Sequence, residues 1–138
     1  KGIYIYARMY DHMPDQIQQR LSRRDDLENG FFDSSDWIMF QFDSRHDHQT
    51  GYLFAVNCSG VKADGAIFGD ESIDINHNSL WHAETNIDHL GWTAELFLPF
   101  SCHSLYTPSG FPLINFAFRA LLPFSYHSWY LPCSFPLI

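Results

Sequence analysis

The chain has 138 residues, of which 46% are hydrophobic, so it is long enough to form one domain with a buried core. Its 16 acidic residues outnumber 8 basic ones and give a formal net charge of -8, which disfavours nucleic acid and anionic membranes as partners. Aromatic residues make up 17%, a share that suits both a β-rich core and a surface that stacks on sugar rings.

The first part of the chain predicts one strand followed by irregular structure. Residues 3–10 alternate as a strand does, and because the sequence opens directly on this strand we expect it to be part of a longer polypeptide. Pro14, with Ile17 and Leu21 four residues apart, predicts a short helical turn with one apolar side. An Asn-Gly pair at 29–30 predicts a loop over the stretch DLENGFFDSSD.

Three further strands are predicted in the middle of the chain, at 37–43, 52–57 and 61–68. The second and third of these are joined by the tripeptide CSG, in which Gly60 stands where a left-handed backbone is usually needed. This spacing predicts a tight hairpin.

The last three predicted strands cover 80–88, 92–99 and 113–121. Alternation places Trp81 and Trp92 on buried faces, and Pro99 ends its strand. Seven short strands with tight turns predict an all-β fold, an antiparallel β-sandwich of the immunoglobulin-like or jelly-roll-like kind, over residues 1–120. Residues 121–138 form an irregular tail rich in Pro, Phe and Ser, which is too broken by proline to cross a membrane as a helix.

Two groups of polar residues invite a chemical interpretation. His46 and His48, flanked by Asp43 and Asp47, offer a ligand mixture suited to zinc, and Asp64 extends the aspartates to a possible hard-cation set. A solvated hairpin tip explains the same residues without metal and is the favoured interpretation. A second group, Glu84 and Glu95, has the residue type of a glycosidase pair, but each glutamate lies on the polar face of an alternating strand and is expected at the solvated surface.

Taken in order, several motifs resemble the family 9 carbohydrate-binding module: GIYIYARMYD, RLSRRDD, DWIMFQFDSRHDHQTGYLFAVNCSGVKADG, LWHAETNID, GWTAELFLPF and INFAFRA. The resemblance runs from residue 1 to about residue 119 and is closest to the variant at the N-terminus of bacterial envelope proteins with a predicted outer-membrane β-barrel. It implies a non-catalytic β-sandwich that lacks the family's first strands here, and a loop between two core strands for residues 43–51.

The resemblance also implies site residues. Sugar-binding members clamp a terminal sugar between two tryptophans, and the loop that carries the first of them reads GFFDSSD here, so Phe31 and Phe32 are the stacking candidates. Trp129 is the candidate for the second ring. The family's arginine and glutamate are replaced by Ala55 and Met39. The remaining expected site residues are Asn57 and Asp64 for polar contacts and Asp43 and Asp47 for a structural calcium ion.

The expected function is therefore carbohydrate binding without catalysis, in an extracytoplasmic domain of a larger secreted or envelope protein involved in polysaccharide catabolism. Its expected partners are a polysaccharide or oligosaccharide and the covalently linked domains of the parent chain, with no nucleic acid and no membrane insertion of this domain. The alternative is a structural or interaction domain of an outer-membrane β-barrel protein that has lost the sugar clamp, which the absent tryptophan, arginine and glutamate favour.

Overall fold

The computed structural model describes residues 1–43, 47, 49–69, 72–100 and 117–121, with the backbone alone for 28, 29 and 117–121. Within these ranges, helical structure is limited to a 3₁₀ turn at Pro14–Gln16 and a single π-type turn at Leu27–Phe31. No helix in the described ranges has the length and apolar character needed to cross a membrane. The strands are β1 (Gly2–Tyr10), β2 (Trp37–Asp43), β3 (Thr50–Asn57), β4 (Lys62–Phe68), β5 (Ser72–Asp74), β6 (His82–Asp88), β7 (Gly91–Pro99) and β8 (Ala117–Leu121).

The strands form two antiparallel sheets. The three-stranded sheet has the order β1-β7-β6, and the five-stranded sheet has the order β5-β4-β3-β2-β8. The predicted all-β sandwich is confirmed, and the predicted strands are found, the last of them over Ala117–Leu121. The short edge strand β5 is not predicted by the sequence, because the three exposed residues Ser72–Asp74 are too short a run for alternation to indicate a strand.

The main core lies between the two sheets. Trp92 is fully buried and Trp81 is 2% exposed, which confirms the faces that alternation assigned to them. Phe54 meets Trp81 edge-on at 5.3 Å between ring centroids, a favourable aromatic geometry across the interface between the sheets. The fully or nearly buried apolar residues of this core include Ile5, Ala7, Met9, Ile38, Phe40, Phe42, Val56, Ala94, Leu96 and Leu98.

A second apolar cluster covers the other face of the five-stranded sheet. Met39 on β2 and Leu53 and Ala55 on β3 alternate with residues of the main core, and they pack with Ala63 of β4 under Phe31. These strands are therefore largely buried on both faces, which accounts for the nearly continuous apolar runs of β2 and β3, whereas β4 also carries Lys62 and Asp64. The segment between β1 and β2 supplies the cover on that face.

The helical turn expected at Pro14 exists, but it ends at Gln16 and does not continue to Leu21. Ile17 is buried as predicted, whereas Leu21 is 79% exposed. The backbone after the turn hydrogen-bonds to other parts of the chain instead of to itself. Gln18 O accepts from Asp36 N at 3.0 Å, and the backbone of Arg20 both donates to and accepts from Ser35 Oγ.

The hairpin between β3 and β4 forms as the CSG spacing predicted. Gly60 has a φ of 80°, a left-handed conformation that costs other residue types steric strain. Asn57 closes the turn, since its Oδ1 accepts hydrogen bonds from Ser59 N at 3.1 Å and Val61 N at 2.8 Å. This side-chain arrangement fixes the register in which β3 pairs with β4.

Candidate functional site

The two phenylalanines of the GFFDSSD loop differ sharply in exposure. Phe31 is 0% exposed and belongs to the second apolar cluster, so its ring offers no free face for stacking on a ligand. Phe32 is only partly buried, meeting Phe31 at 5.3 Å and Trp37 at 4.7 Å between ring centroids, both edge to face. Trp37 Nε1 donates to Phe32 O at 3.3 Å. Of the stacking pair expected here, only Phe32 retains surface that a ligand can reach.

Asn57 and Asp64, the expected polar contacts, are also interior residues, with exposed fractions of 0% and 1%. The side chain of Asn57 holds the β3–β4 turn through its Oδ1, and its Nδ2 donates to Arg20 O at 3.1 Å. Its hydrogen-bonding groups are therefore engaged within the fold. Asn57 is a structural residue of the turn and does not face a ligand.

Asp64 is a buried carboxylate at the centre of a cluster of charged residues. Its carboxylate accepts hydrogen bonds from Ser79 N at 2.6 Å and Trp81 Nε1 at 3.0 Å, and it forms an ion pair with Arg24 Nη2 at 2.5 Å. Arg24 also donates to Ser79 O at 3.2 Å. Because a buried carboxylate requires such compensation, this set of contacts identifies Asp64 as an anchor for the segment that crosses from β1 to β2.

Two more charged residues complete this group, which we call the Asp64 cluster: Arg24, Asp25, Lys62 and Asp64. Asp25 contacts Arg24 Nε at 3.3 Å and accepts a hydrogen bond from Asp64 N at 2.9 Å, and burial raises the pKa of its carboxyl. Lys62 Nζ donates to Trp81 O at 2.9 Å, and burial lowers the pKa of its ammonium. Two positive and two negative groups balance each other, so the cluster has no net charge and compensates the buried Asp64 carboxylate.

Asp43 and Asp47, the candidate metal ligands, lie at the connection between β2 and β3. Asp47 accepts hydrogen bonds from Gln49 N at 2.9 Å and Thr50 N at 2.7 Å through Oδ1, and from Thr50 Oγ1 at 2.8 Å through Oδ2. Asp43 Oδ1 accepts from Asp47 N at 3.3 Å. These are the contacts of aspartates that cap a turn.

Within the described residues, no group of three or more His, Cys, Asp or Glu side chains is arranged to hold a metal ion. His46 and His48 lie outside the described residues, so the zinc interpretation and a calcium ion on Asp43 and Asp47 stay predictions. Trp129, the candidate for the second stacking ring, also lies outside them, together with the rest of the tail from residue 122 onward.

A different surface carries the exposed aromatic residues that the loop lacks. On β1, Tyr4, Tyr6 and Tyr10 point away from the core and are 51%, 45% and 50% exposed. Half-exposed tyrosines gathered on one strand are informative, because scattered exposed apolar groups are common but aligned rings are not. We call the outward side of the three-stranded sheet the tyrosine face; its side chains are Tyr4, Tyr6, Arg8, Tyr10, His82, Glu84, Asn86, Asp88, Thr93, Glu95 and Phe97.

Strand register arranges the tyrosine face in rows. At one end, Tyr4 is paired with Phe97, which is paired with His82, and the Tyr4 and Phe97 rings stack at 4.5 Å between centroids. The His82 ring lies 6.4 Å from that of Phe97 with 14° between their planes. This aromatic row runs across all three strands, and the stacked Tyr4 and Phe97 rings each cover one face of the other.

The next row is acidic. Tyr6 is paired with Glu95, and Glu95 is directly opposite Glu84 on the neighbouring strand. Both glutamates are exposed, as expected from the alternation. Like charges directly opposite each other weaken strand pairing, so this row does not contribute to the stability of the sheet. It places two hydrogen-bond acceptors beside a half-exposed ring.

The other end of the tyrosine face is held by an ion pair that spans the sheet. Arg8 Nη2 on β1 contacts Asp88 Oδ2 on β6, and the Arg8 guanidinium lies 5.7 Å from the centroid of the Tyr10 ring. The two charged side chains are 15% and 30% exposed, respectively. The pair neutralises both charges and fixes the orientation of Tyr10 through a cation–π contact.

Comparison of the chain with protein-family models, with curated proteins and with solved structures gives no match. The geometry alone therefore separates two groups of predicted residues. Phe31, Asn57 and Asp64 are built into the interior, and Phe32 remains at the surface beside Trp37.

Sequence reasoning missed the tyrosine face, although the signal was present. In the segment IYIYARMY, every second position faces outward and carries Tyr4, Tyr6, Arg8 and Tyr10. The positions between them, Ile5, Ala7 and Met9, face the core. The alternation that predicts a strand also predicts that one of its faces is aromatic and wet.

Proposed function

We propose that this domain is a non-catalytic carbohydrate-binding domain of a larger extracytoplasmic protein, and that it binds a glycan through the tyrosine face. The observation that carries the proposal is the set of three half-exposed tyrosines on one strand of an antiparallel sheet. A tyrosine ring has an apolar surface that packs on the apolar side of a sugar ring, and its hydroxyl remains in water. Resemblance to a carbohydrate-binding family supports the same role.

Polar groups beside the rings support the proposal further. Glu95 and Glu84 follow Tyr6 across the sheet, and Asn86 occupies the next row, so acceptors and an amide stand next to the stacking surface. Sugar hydroxyls both donate and accept hydrogen bonds, and sites of this kind combine a few placed polar groups with aromatic walls. The exposed glutamates are solvated surface groups, which differ from the secluded acid that glycoside hydrolysis requires.

A second function, that of a structural or interaction domain within an envelope protein, is supported by a specific finding. Phe31, Asn57 and Asp64, which the resemblance offered as sugar contacts, are used to build the core, the β3–β4 turn and the Asp64 cluster. A domain that had lost its clamp would keep such residues for packing. Under this proposal the tyrosine face contacts protein instead of glycan.

Affinity electrophoresis of the full chain through gels containing hydroxyethyl cellulose, xylan or galactomannan, with calcium and with chelator, separates these two functions. We expect retardation by at least one neutral polysaccharide, and we expect Tyr6→Ala to abolish it because Tyr6 lies at the middle of the face. Phe68→Ala is the matched control, since Phe68 is a 52% exposed aromatic residue on the other sheet. Phe32→Ala tests the loop position.

The outcomes lead to distinct conclusions. If Tyr6→Ala loses retardation and Phe68→Ala is retarded as the wild type is, the result supports glycan binding at the tyrosine face. Loss in Phe32→Ala alone would move the site to the loop before β2. Absence of retardation by every polysaccharide, from protein that unfolds cooperatively in urea, would overturn the carbohydrate-binding function and favour the interaction domain.

A further inference from the structure

We infer that the tyrosine face binds an uncharged polysaccharide lengthwise, across several sugar units, and does not grip a chain end. This inference rests on the proposed function, which requires only that some glycan binds at this face. It concerns the shape and charge of the ligand, and both follow from the placement of the outward side chains on β1, β6 and β7.

The first argument is geometric. A chain-end clamp needs two rings that face each other across one sugar, whereas Tyr4, Tyr6 and Tyr10 project from the same side of one strand. Tyr10 lies six positions after Tyr4, which corresponds to about 20 Å along an extended strand. That span exceeds the width of a single sugar ring, so rings at the two ends of the face contact different units of a chain.

The aromatic row extends this surface across the sheet. Tyr4, Phe97 and His82 lie side by side in register, with Tyr4 stacked on Phe97 and the His82 ring nearly parallel to it. Three adjacent strands cover about 10 Å in this direction. Because Tyr4 and Phe97 each cover one face of the other ring, this row offers a ligand ring edges and the remaining ring faces. It is an open surface and not a pocket, so binding energy increases with the number of sugar units that contact it.

The second argument is electrostatic. Glu84 and Glu95 are exposed and directly opposite each other, while the charge of Arg8 is matched by that of Asp88. The face therefore carries an excess of negative charge, and the whole chain has a formal charge of -8. A uronate-rich or sulfated chain would be repelled. Hydroxyl groups of an uncharged chain can donate hydrogen bonds to the two carboxylates without that penalty.

The test of length uses isothermal titration of the full chain with cello-, xylo- and manno-oligosaccharides from disaccharide to hexasaccharide. We expect affinity to rise with length in the series that binds, by roughly three- to tenfold for each additional ring that is stacked. Tyr10→Ala should remove the gain at the longest oligosaccharides and leave the shorter ones less affected, because Tyr10 lies at the far end of β1. Phe68→Ala serves as the control.

Failure of the inference is distinguishable from failure of the proposed function. If disaccharide and hexasaccharide bind equally well and Tyr6→Ala abolishes both, the domain binds sugar but recognises a chain end, and the lengthwise mode is overturned. If no oligosaccharide or polysaccharide binds to folded protein, the proposed function and the inference fall together.

The test of charge compares two derivatives of one backbone, hydroxyethyl cellulose and carboxymethyl cellulose, at low and high salt. We expect retardation by the uncharged polymer only, and we expect Glu84→Gln with Glu95→Gln to permit retardation by the charged one. Equal retardation of the wild type by both polymers at low salt would overturn the charge argument. Elimination of all binding in the double glutamine variant would instead show that the carboxylates are required acceptors, and would contradict the expected relief of repulsion.

Discussion

Arg24→Met removes the ion-pair partner of Asp64, which is the most deeply buried carboxylate of the Asp64 cluster. Asp64 has a side chain with 0% exposure, whereas that of Arg24 is 41% exposed. Methionine keeps much of the apolar length of arginine, so the change mainly removes charge and hydrogen bonds. The segment between β1 and β2 then loses its contact with Asp64 Oδ1 and with Ser79 O.

The size of the effect follows from what remains around the carboxylate. Loss of one partner of a fully buried pair costs about 3–5 kcal/mol, because the other charge is left uncompensated. Here Trp81 Nε1 and Ser79 N still donate to Asp64, and the partly exposed position of Arg24 gives water a route to the carboxylate. We therefore expect the free energy of unfolding to fall by about 2–3 kcal/mol.

Asp64→Asn provides the second arm of a double-mutant cycle. It removes the negative charge and keeps an oxygen that can accept the hydrogen bond from Trp81 Nε1. In that background Arg24→Met no longer strands a buried carboxylate, so we expect the two effects to be less than additive by about 1–2 kcal/mol.

Urea denaturation followed by tryptophan fluorescence measures these differences, because Trp81 and Trp92 are buried and report on loss of the core. Arg23→Met is the matched control, since Arg23 is an exposed arginine next to Arg24 in the chain. A loss of stability in Arg24→Met no greater than that in Arg23→Met, or strict additivity with Asp64→Asn, would refute the assignment of Asp64 as an anchor.

Two further predictions concern the same segment. Phe31→Ala should lower the free energy of unfolding by about 3–5 kcal/mol, because it opens a cavity at a fully buried ring. Phe68→Ala, at a half-exposed ring, should lower it much less. Equal losses in urea denaturation would contradict the assigned burial. For Asp25, burial raises the folded-state pKa above the ordinary 3.8, so the folded protein binds this proton more tightly than the unfolded chain does. The resulting stabilisation is fully present below pH 3.8 and is lost as pH rises through the folded-state pKa. As the pH is lowered from about 7 to about 4, the wild type should therefore become more stable relative to Asp25→Asn. A difference in unfolding free energy that does not change with pH would refute this.

The elements whose side chains alternate regularly could be predicted from sequence. Trp81 shares the face of its strand with Ala83 and Ile87, and Trp92 shares its face with Ala94 and Leu96, so alternation predicts that both tryptophans are in the core, and both are buried. Gly60 and the length of the CSG connection were enough to predict the β3–β4 hairpin. In these cases the information is local, since it concerns residues adjacent along one strand or turn.

The burial of Phe31 and Asp64 could not be predicted in the same way. Phe31 is covered because the segment between β1 and β2 folds over the five-stranded sheet, where it meets Leu53 and Ala63, residues distant from it in the chain. Asp64 looks like a surface residue in isolation, and its burial becomes favourable only when Arg24, forty positions away, supplies a compensating charge. Such contacts depend on the tertiary fold and leave no periodic signal.

The location of the proposed site follows from how the two sheets are covered. One face of each sheet is used in the core between them, and the other face of the five-stranded sheet is packed under Phe31 and its neighbours. In the described part of the chain, the outer face of the three-stranded sheet is left without such a cover and carries half-exposed tyrosines in place of the small or charged groups that water favours. The stacked Tyr4 and Phe97 rings add some stability to strand pairing, whereas the opposed Glu84 and Glu95 remove some. Strand pairing does not account for the opposed glutamates, and under the proposed function the hydroxyl groups of a glycan would donate hydrogen bonds to their exposed carboxylates.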